Sequence, residues 1–283
     1  MSGSAVAARQ RAGRTASPLT PEPVPRSVPG RFGAVARGAG VIIVLLAVWQ
    51  WAASTGRIDP EFASSPARIG TTLWDLLSTS SFWTVQLRAT AGGFAAGWSL
   101  AVVVGIVLGV AMGLVGPIRD TLEPLVMGFY ATPHIALIPL LIVWFGFGFQ
   151  YKLVVVFIAS VFWVLLNTIA AVREADEGLV RMSRAFGATR RQVIATVVLP
   201  GARSGILVGV RLSVSHGIIG AVIGEMFSSH QGVGFLISES AQLGLIDRLL
   251  ALVVLLAAVG TGTNAALAAL QDRLERWRRP DVG

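Results

Sequence analysis

The stretch RAFGATRRQVIATVVLPGA, residues 184–202, decides the fold, because it lies between two long apolar runs and holds the end of one short helix, predicted over residues 174–186, and the whole of a second. Gly187 is a helix stop. Thr189 followed by Gln192 predicts a capping box at the start of a second helix, which we expect Pro200 to end. Adjacent helices are usually joined by about 2 to 8 residues, whereas this connection occupies residues 173–203. We therefore expect a pair of amphipathic helices outside the membrane with a function of its own.

The apolar runs on both sides of this connection predict a membrane protein. Of the 283 residues, 54% are hydrophobic and 13% are charged, which is too apolar for an ordinary soluble domain. A spanning helix needs about 20 apolar residues, and the candidate runs are residues 38–56, 89–118, 124–151, 153–172, 204–224 and 249–271. We predict an all-α membrane protein with about six transmembrane helices. Pro133 and Pro139 should bend or break the third of them.

The basic residues predict the orientation of these spans. If six runs cross the membrane, 17 of the Lys and Arg residues lie on the side of the termini and five lie on the other side, with Arg211 inside the fifth run. Cytoplasmic segments are enriched in Lys and Arg. We therefore expect both termini and the helix pair at 173–203 to be cytoplasmic.

The composition also excludes several function classes. The chain has no Cys. Its only Lys is Lys152, so a phosphate-binding loop of the form GxxxxGK[ST] is absent and the chain does not hydrolyse ATP by itself. It shows no carboxylate pair, catalytic triad or His set with metal-ligand spacing, so we expect neither an enzyme nor a metal site. The basic residues lie beside apolar runs rather than on one polar face, which argues against nucleic acid as a partner.

One spacing within the connection resembles a known signature. Gly187, nine residues, Val197, one residue and then Leu199-Pro200 match the EAA loop of permease subunits of bacterial ATP-binding-cassette importers. The resemblance extends over residues 65–277. It includes ATPHIALIPLLIVWFGFG at 131–148, LLNTIAAVREAD at 165–176 and GEMFSSHQGVGFLI at 224–237, which are similar to the nitrate, sulfonate and taurine branch. One departure is clear: Arg181, Met182 and Ser183 stand where the signature has Glu-Ala-Ala.

The resemblance implies a division of the chain and a set of partners. The Pro-rich and Arg-rich composition of residues 1–37 already predicts a disordered basic arm, and the apolar run 38–56 predicts the first transmembrane helix. To these the resemblance adds a permease domain at 65–277, with a coupling loop at 173–203, and a cytoplasmic tail at 278–283. A separate ATPase subunit would bind ATP, so this chain needs no cofactor. An extracytoplasmic solute-binding protein would deliver a sulfonate, nitrate, taurine or vitamin precursor. A second copy of the chain and the lipid of the bacterial inner membrane complete the expected partners.

The resemblance also implies the residues that contact the ATPase. They are Arg181, Arg184, Gly187, Ala188, Thr189, Leu199 and Pro200.

Candidates for the solute pathway are the polar residues within or at the ends of the spans, because such groups are costly in lipid and usually face a bundle interior. They are His134, Asn167, Arg211, His216 and Glu225. Simpler roles remain open for four of them. His134 would satisfy a carbonyl of the broken helix, Asn167 would bond a neighbouring helix, Arg211 would reach the headgroups, and Glu225 would be exposed or dock the binding protein.

Two other functions remain open from the sequence. One is a secondary transporter driven by an ion gradient, which needs an acidic residue inside a span, and we expect none there. The other is a membrane scaffold whose helix pair recruits a cytoplasmic partner.

Overall fold

The computed structural model describes residues 31–57, 59, 63–228 and 230–275, without the side chains of residues 31–36, 228, 274 and 275. Residues 1–30 of the predicted arm and the predicted tail at 278–283 lie outside this range. The chain divides into two units, residues 1–48 and 49–283. All contacts given below lie within the second unit.

The described residues form eleven α-helices. The helices are α1 (Arg31–Ser54), α2 (Pro66–Ser78), α3 (Arg88–Leu114), α4 (Gly116–Ala131), α5 (Ile138–Phe145), α6 (Phe149–Arg173), α7 (Glu177–Ala185), α8 (Arg190–Val193), α9 (Leu199–Ser228), α10 (Val233–Gln242) and α11 (Ile246–Glu275). π-Helical segments Phe82–Leu87 and Ile194–Val198 lead into α3 and α9, and a 3₁₀ turn, His134–Leu137, leads into α5.

Within the described residues, five helical stretches are long and apolar enough to cross a membrane: Arg37–Ser54, Phe82–Leu114, Phe149–Arg173, Arg190–Phe227 and Ile246–Arg273. A sixth candidate is the pair Gly116–Ala131 and His134–Phe145, which is bent by 85°. The all-α membrane fold is therefore confirmed.

The predicted break in the third run is confirmed, but the bounds of that run are wrong. Pro133 has no backbone N–H, and α4 ends just before it with the Thr132 N–H donating to the Phe129 carbonyl at 3.1 Å. Pro139 lies in the first turn of α5, where a missing donor costs little. Gly146 and Gly148 then adopt positive φ angles of 68° and 142°. These turns end the run, so residues 149–151 belong to the next helix.

The second unit is organised around α6, which packs between α3 and α9 at very short distances. A Cβ on Gly97 or Gly105 of α3 would lie 2.8 Å from the Cβ of Val156 or Val164 of α6. On α9, a Cβ on Gly220 would lie 2.6 Å from the Cβ of Ala159. Only glycine allows helices to approach this closely.

These contacts also fix the helix directions. Near its start α3 meets Lys152 of α6 through Gly93, and near its end it meets Val172 through Gly113, so the two helices run parallel. The bent pair must therefore carry the chain back along the length of α6. This geometry favours a broken span over a re-entrant loop.

The helix pair of the connection is present, but its second helix does not end at Pro200. α7 stops before Gly187, whose φ is +80°, and Thr189 with Gln192 forms the predicted capping box. The π-helical segment then places the Leu199 N–H on the Ile194 carbonyl, five residues back. Pro200 lies in the first turn of α9, where the backbone N–H that proline lacks is not needed for a helical hydrogen bond. The helical path therefore continues directly into the next span.

Candidate functional site

The helix pair presents an exposed surface of apolar and basic side chains, here called the loop surface. Phe186 is 86% exposed, and Met182 and Leu179 are 52% and 47% exposed. Arg181 and Arg184 are also exposed on α7. Arg181 lies 3.9 Å from Glu177 one turn earlier, and both side chains are largely in solvent. An exposed apolar patch beside charge is typical of a protein interaction site.

The other predicted contact residues lie around this surface. Gly187, Thr189, Leu199 and Pro200 are exposed, whereas Ala188 is half-buried. The packing beneath the surface attaches it to the central helices. Val193 and Val198 are buried in one cluster with Ala171 and Val172 at the end of α6 and Ala202 at the start of α9. A displacement of the loop surface would therefore move the ends of two packed spans.

A buried ion pair lies at the opposite end of the same helices. Lys152 Nζ donates to Glu225 Oε1 at 3.0 Å and to the Gln231 carbonyl at 2.8 Å. Glu225 is 1% exposed and Lys152 is 8% exposed. The expectation that Glu225 is exposed or docks a partner is therefore wrong. Glu225 lies just after the predicted run 204–224 and near the end of the helical stretch Arg190–Phe227, so the absence of an acidic residue inside a span stays a prediction.

Further donors complete the environment of the carboxylate. The Thr90 hydroxyl lies 2.9 and 2.8 Å from the two Glu225 oxygens, and the Gly234 N–H donates to Oε2 at 2.9 Å. The Val233 N–H donates in turn to Thr90 Oγ1 at 2.8 Å. Because both charges have close partners, this cluster ties α3, α6, α9 and the start of α10 together.

A cavity of about 430 Å³ lies between the broken span and the helices α6 and α9. It brings together two predicted pathway residues, His134 and His216. The His216 ring stacks on Trp163 with centroids 3.9 Å apart. Tyr130 lies 6.4 Å from Trp163, measured between ring centroids, and most of the remaining wall is aliphatic.

The remaining pathway candidates lie elsewhere. Asn167 donates to the Trp163 carbonyl of its own helix at 2.8 Å, so the expected bond to a neighbouring helix is not formed. Its Cβ lies against Gly209, 2.8 Å from where a Cβ on that glycine would be. Arg211 is exposed near the middle of α9.

The sequence reasoning missed Lys152, Thr90, Trp163 and Tyr130. Lys152 had a usable signal, because it is the only Lys in a chain whose other basic residues are Arg. The other three are ordinary residues of apolar runs, and only the packing of α3, α4 and α6 places them beside their partners.

The chain resembles known proteins over most of its length. A family model described as binding-protein-dependent transport system inner membrane component matches residues 101–280. The taurine transport system permease protein of Escherichia coli is 30% identical over 84% of this chain and 88% of that protein. The riboflavin transport system permease protein of Chloroflexus aurantiacus is 32% identical over 87% of this chain and 92% of that protein.

Two further matches are informative. The putative aliphatic sulfonates transport permease protein of Bacillus subtilis is 28% identical over 94% of this chain and 96% of that protein. Among solved structures, a chain of the inward-facing MetNI methionine ABC transporter matches with a TM-score of 0.59 at 20% identity, covering 71% of this chain and 100% of that chain. At 20% identity, the match to this solved structure shows a likeness of fold alone.

Proposed function

Because the chain belongs to the family of binding-protein-dependent transport system inner membrane components, we propose that its loop surface receives the motion of the ATPase subunit and passes it to the spans. The chain is the multi-pass permease subunit of an ATP-driven importer in the inner membrane, and it is not an enzyme. A separate subunit hydrolyses ATP, and a binding protein delivers the solute. The chain's own task is to form a pathway and change its conformation.

The packing beneath the loop surface is the observation that supports this coupling. Val193 and Val198 are buried against α6 and α9, while Phe186 and Met182 on the other side are exposed. A partner that binds the exposed side therefore acts on a segment that cannot move without the two spans. A packed interface transmits a displacement because it resists compression.

The basic residue at the usual glutamate position defines the expected partner surface. Arg181 is 76% exposed at its side chain and has Glu177 as a distant neighbour. A like charge brought against it would cost binding energy. We propose that the ATPase presents an acidic or neutral group opposite Arg181. A structure of the complex with Arg181 in solvent or facing another basic residue would contradict this.

The exposed charge on α9 supports a second copy of the chain as a partner. Arg211 lies near the middle of the 30-residue helix and is exposed in the single chain. A charged side chain facing lipid at mid-span is costly, so such residues usually face protein or water. We propose a homodimer with Arg211 facing the pathway between the copies, and with both termini and the loop surface in the cytoplasm.

Two solute classes are consistent with the relatives. One is the sulfonate class, by similarity to the taurine and aliphatic sulfonates permeases. The other is the ring-containing vitamin or precursor class, by similarity to the riboflavin and formylaminopyrimidine permeases. A nitrate solute, expected from the sequence resemblance, has no additional support among these relatives.

The ion-gradient alternative loses support despite the buried acidic residue near the end of α9. A carboxylate that carries a coupling proton or ion must exchange it, whereas Glu225 is bonded to Lys152, Thr90 and the Gly234 N–H in the interior. We assign Glu225 a structural role. The scaffold alternative leaves the packed connection between the loop surface and the spans without a purpose.

A single glycine tests the coupling proposal. Gly187 has a φ of +80°, which β-branched residues rarely adopt. We expect Gly187→Val to insert normally but to lose ATPase recruitment, ATP-driven uptake or both. Gly244→Val is the matched control, because Gly244 has a similar φ of 69°, is exposed with open space around its Cβ, and lies outside residues 173–203.

The measurement is affinity purification of a tagged chain from gently solubilised membranes, followed by an ATPase assay. A second, differently tagged copy in the same cells reports the homodimer. Recovery of an ATPase whose activity survives Gly187→Val unchanged, with normal uptake, would contradict the coupling role. Recovery of the chain without any ATPase, active in gradient-driven flux, would contradict the importer function itself.

A further inference from the structure

The aromatic wall of the cavity between α4, α6 and α9 is a preformed ring-binding surface. Trp163 and His216 stack at 3.9 Å with an interplanar angle of 24°, so they present a continuous edge of ring atoms. His134 packs against Phe162 with ring centroids 5.6 Å apart, which holds a second imidazole at the cavity. The volume of about 430 Å³ is within the range of about 300 to 1,000 Å³ that is typical of small-molecule sites.

The two imidazoles have hydrogen-bonding capacity left for a ligand. His216 Nδ1 lies 3.0 Å from the Leu212 carbonyl. A carbonyl only accepts, so Nδ1 carries a hydrogen, and in the neutral imidazole Nε2 is left as an acceptor. His134 Nε2 is buried and has no hydrogen-bond partner among the described residues. A buried polar atom without a partner is costly, and a bound ligand would remove that cost.

The charge of the wall decides between ligand classes. Among the described residues that line the cavity there is no Asp, Glu, Lys or Arg. An anionic sulfonate or a cationic amine would enter without an opposite charge, at a large desolvation cost. An uncharged ring with polar ring atoms would instead pack edge-to-face on the aromatic wall and hydrogen-bond the imidazole nitrogens.

From this geometry we propose that the cavity is a transient binding site for an uncharged, planar nitrogen heterocycle on its way through the permease. The ring packs edge-to-face against the Trp163 and His216 pair. One of its N–H groups donates to His216 Nε2, and a second polar atom of the ring hydrogen-bonds His134 Nε2. The proposal rests on the proposed transport function and narrows it to the ring-containing class of solute. The exposed side chains Ile135 and Ile219, 56% and 55% exposed, form the mouth of the cavity.

The experiment uses the purified full chain in lipid nanodiscs, with equilibrium dialysis of riboflavin and lumichrome as neutral tricyclic probes and of butanesulfonate as an anionic probe. We expect saturable binding of a tricycle that butanesulfonate does not displace. Loss of one aromatic contact in Trp163→Leu should weaken that binding about tenfold. Trp74→Leu is the matched control, since Trp74 lies on α2 and is 74% exposed.

A second variant guards against misfolding of the first. Ile219→Trp adds bulk at an exposed position of the mouth, so it should block the probe without disturbing the packed helices. Three results would overturn the proposal: no saturable binding of either tricycle, tricycle binding unaffected by both variants, or butanesulfonate binding that Arg211→Gln abolishes.

Recruitment of the ATPase by the same preparations separates the two proposals. A chain that recruits the ATPase but binds no tricycle contradicts the site alone. A chain that binds a tricycle but never recruits an ATPase contradicts the proposed coupling function.

Discussion

Lys152 and Glu225 are charged side chains that the apolar interior accepts only because each is surrounded by specific partners. A buried pair gains little over an apolar one unless its remaining donors and acceptors are also satisfied. Here the Thr90 hydroxyl and the Gly234 N–H donate hydrogen bonds to the Glu225 carboxylate, and the Lys152 ammonium group donates to the Gln231 carbonyl. The same cluster explains the glycine at 232, because a Cβ there would collide with the Glu225 carboxylate.

Removing the negative charge tests this account at the level of one residue. Glu225→Gln leaves the Lys152 ammonium buried beside a neutral amide, and losing one partner of such a pair typically costs about 3 to 5 kcal/mol. We expect the apparent Tm of the purified chain to fall by about 10 °C. Tryptophan fluorescence during thermal unfolding in detergent measures this.

Glu239→Gln is the matched control for that substitution. Glu239 pairs with Arg248 at the same distance of 3.0 Å, but the two side chains are 35% and 29% exposed. Partly exposed pairs contribute about 0 to 1 kcal/mol, so this variant should melt close to the unaltered chain. Equal shifts for Glu225→Gln and Glu239→Gln would mean that burial of the first pair has no energetic importance.

At the scale of whole elements, periodicity predicted the helices well, and it could not predict their contacts. The apolar runs, the break near Pro133 and the cap at Thr189 follow from local chemistry, so they were found. The continuation of the helix through Pro200 was missed, because the π-helical turn that accommodates it depends on the packing of Val193 and Val198. Of the pathway candidates, His134 and His216 meet in one cavity. The burial of Glu225 was missed because it depends on an ion pair with Lys152, which lies 73 residues away in sequence.

The close approach of α3 and α6 gives a prediction at this scale. A Cβ on Gly97 would lie 2.5 Å from the Leu153 carbonyl oxygen, and a backbone atom cannot move aside like a flexible side chain. We expect Gly97→Ala to destabilise the chain by about 1 to 3 kcal/mol through overpacking. Thermal unfolding of the purified chain measures the loss.

Gly92→Ala is the control. Gly92 lies on the same helix as Gly97, but it does not face α6. A Cβ on Gly92 meets no atom within 4 Å, and alanine is the better helix former by about 1 kcal/mol. The control should therefore be neutral or stabilising, with the difference between the two variants reporting the helix contact alone. If Gly97→Ala is as stable as Gly92→Ala, the close contact at Gly97 does not hold α3 against α6.

For the molecule as a whole, the parallel course of α3 and α6 constrains the topology. The chain enters α3 at the Lys152 end of the bundle and leaves α6 at the Val172 end. The bent pair carries the chain back between these two helices. Because α2 precedes α3 and α7 follows α6, α2 and α7 lie at opposite ends of the bundle. The excess of basic residues around α7 predicts that its end is the cytoplasmic one.

Thiol labelling tests both the orientation and the crossing of the bent pair. The sequence contains no Cys, so a single introduced thiol is the only site for a membrane-impermeant maleimide. Phe186 and Trp74 are suitable positions, being 86% and 74% exposed. We expect intact cells to label Trp74→Cys and inside-out vesicles to label Phe186→Cys. Labelling of both from the same side would make the bent pair a re-entrant loop, whereas labelling of each from the reversed side would place the loop surface where no ATPase can reach it.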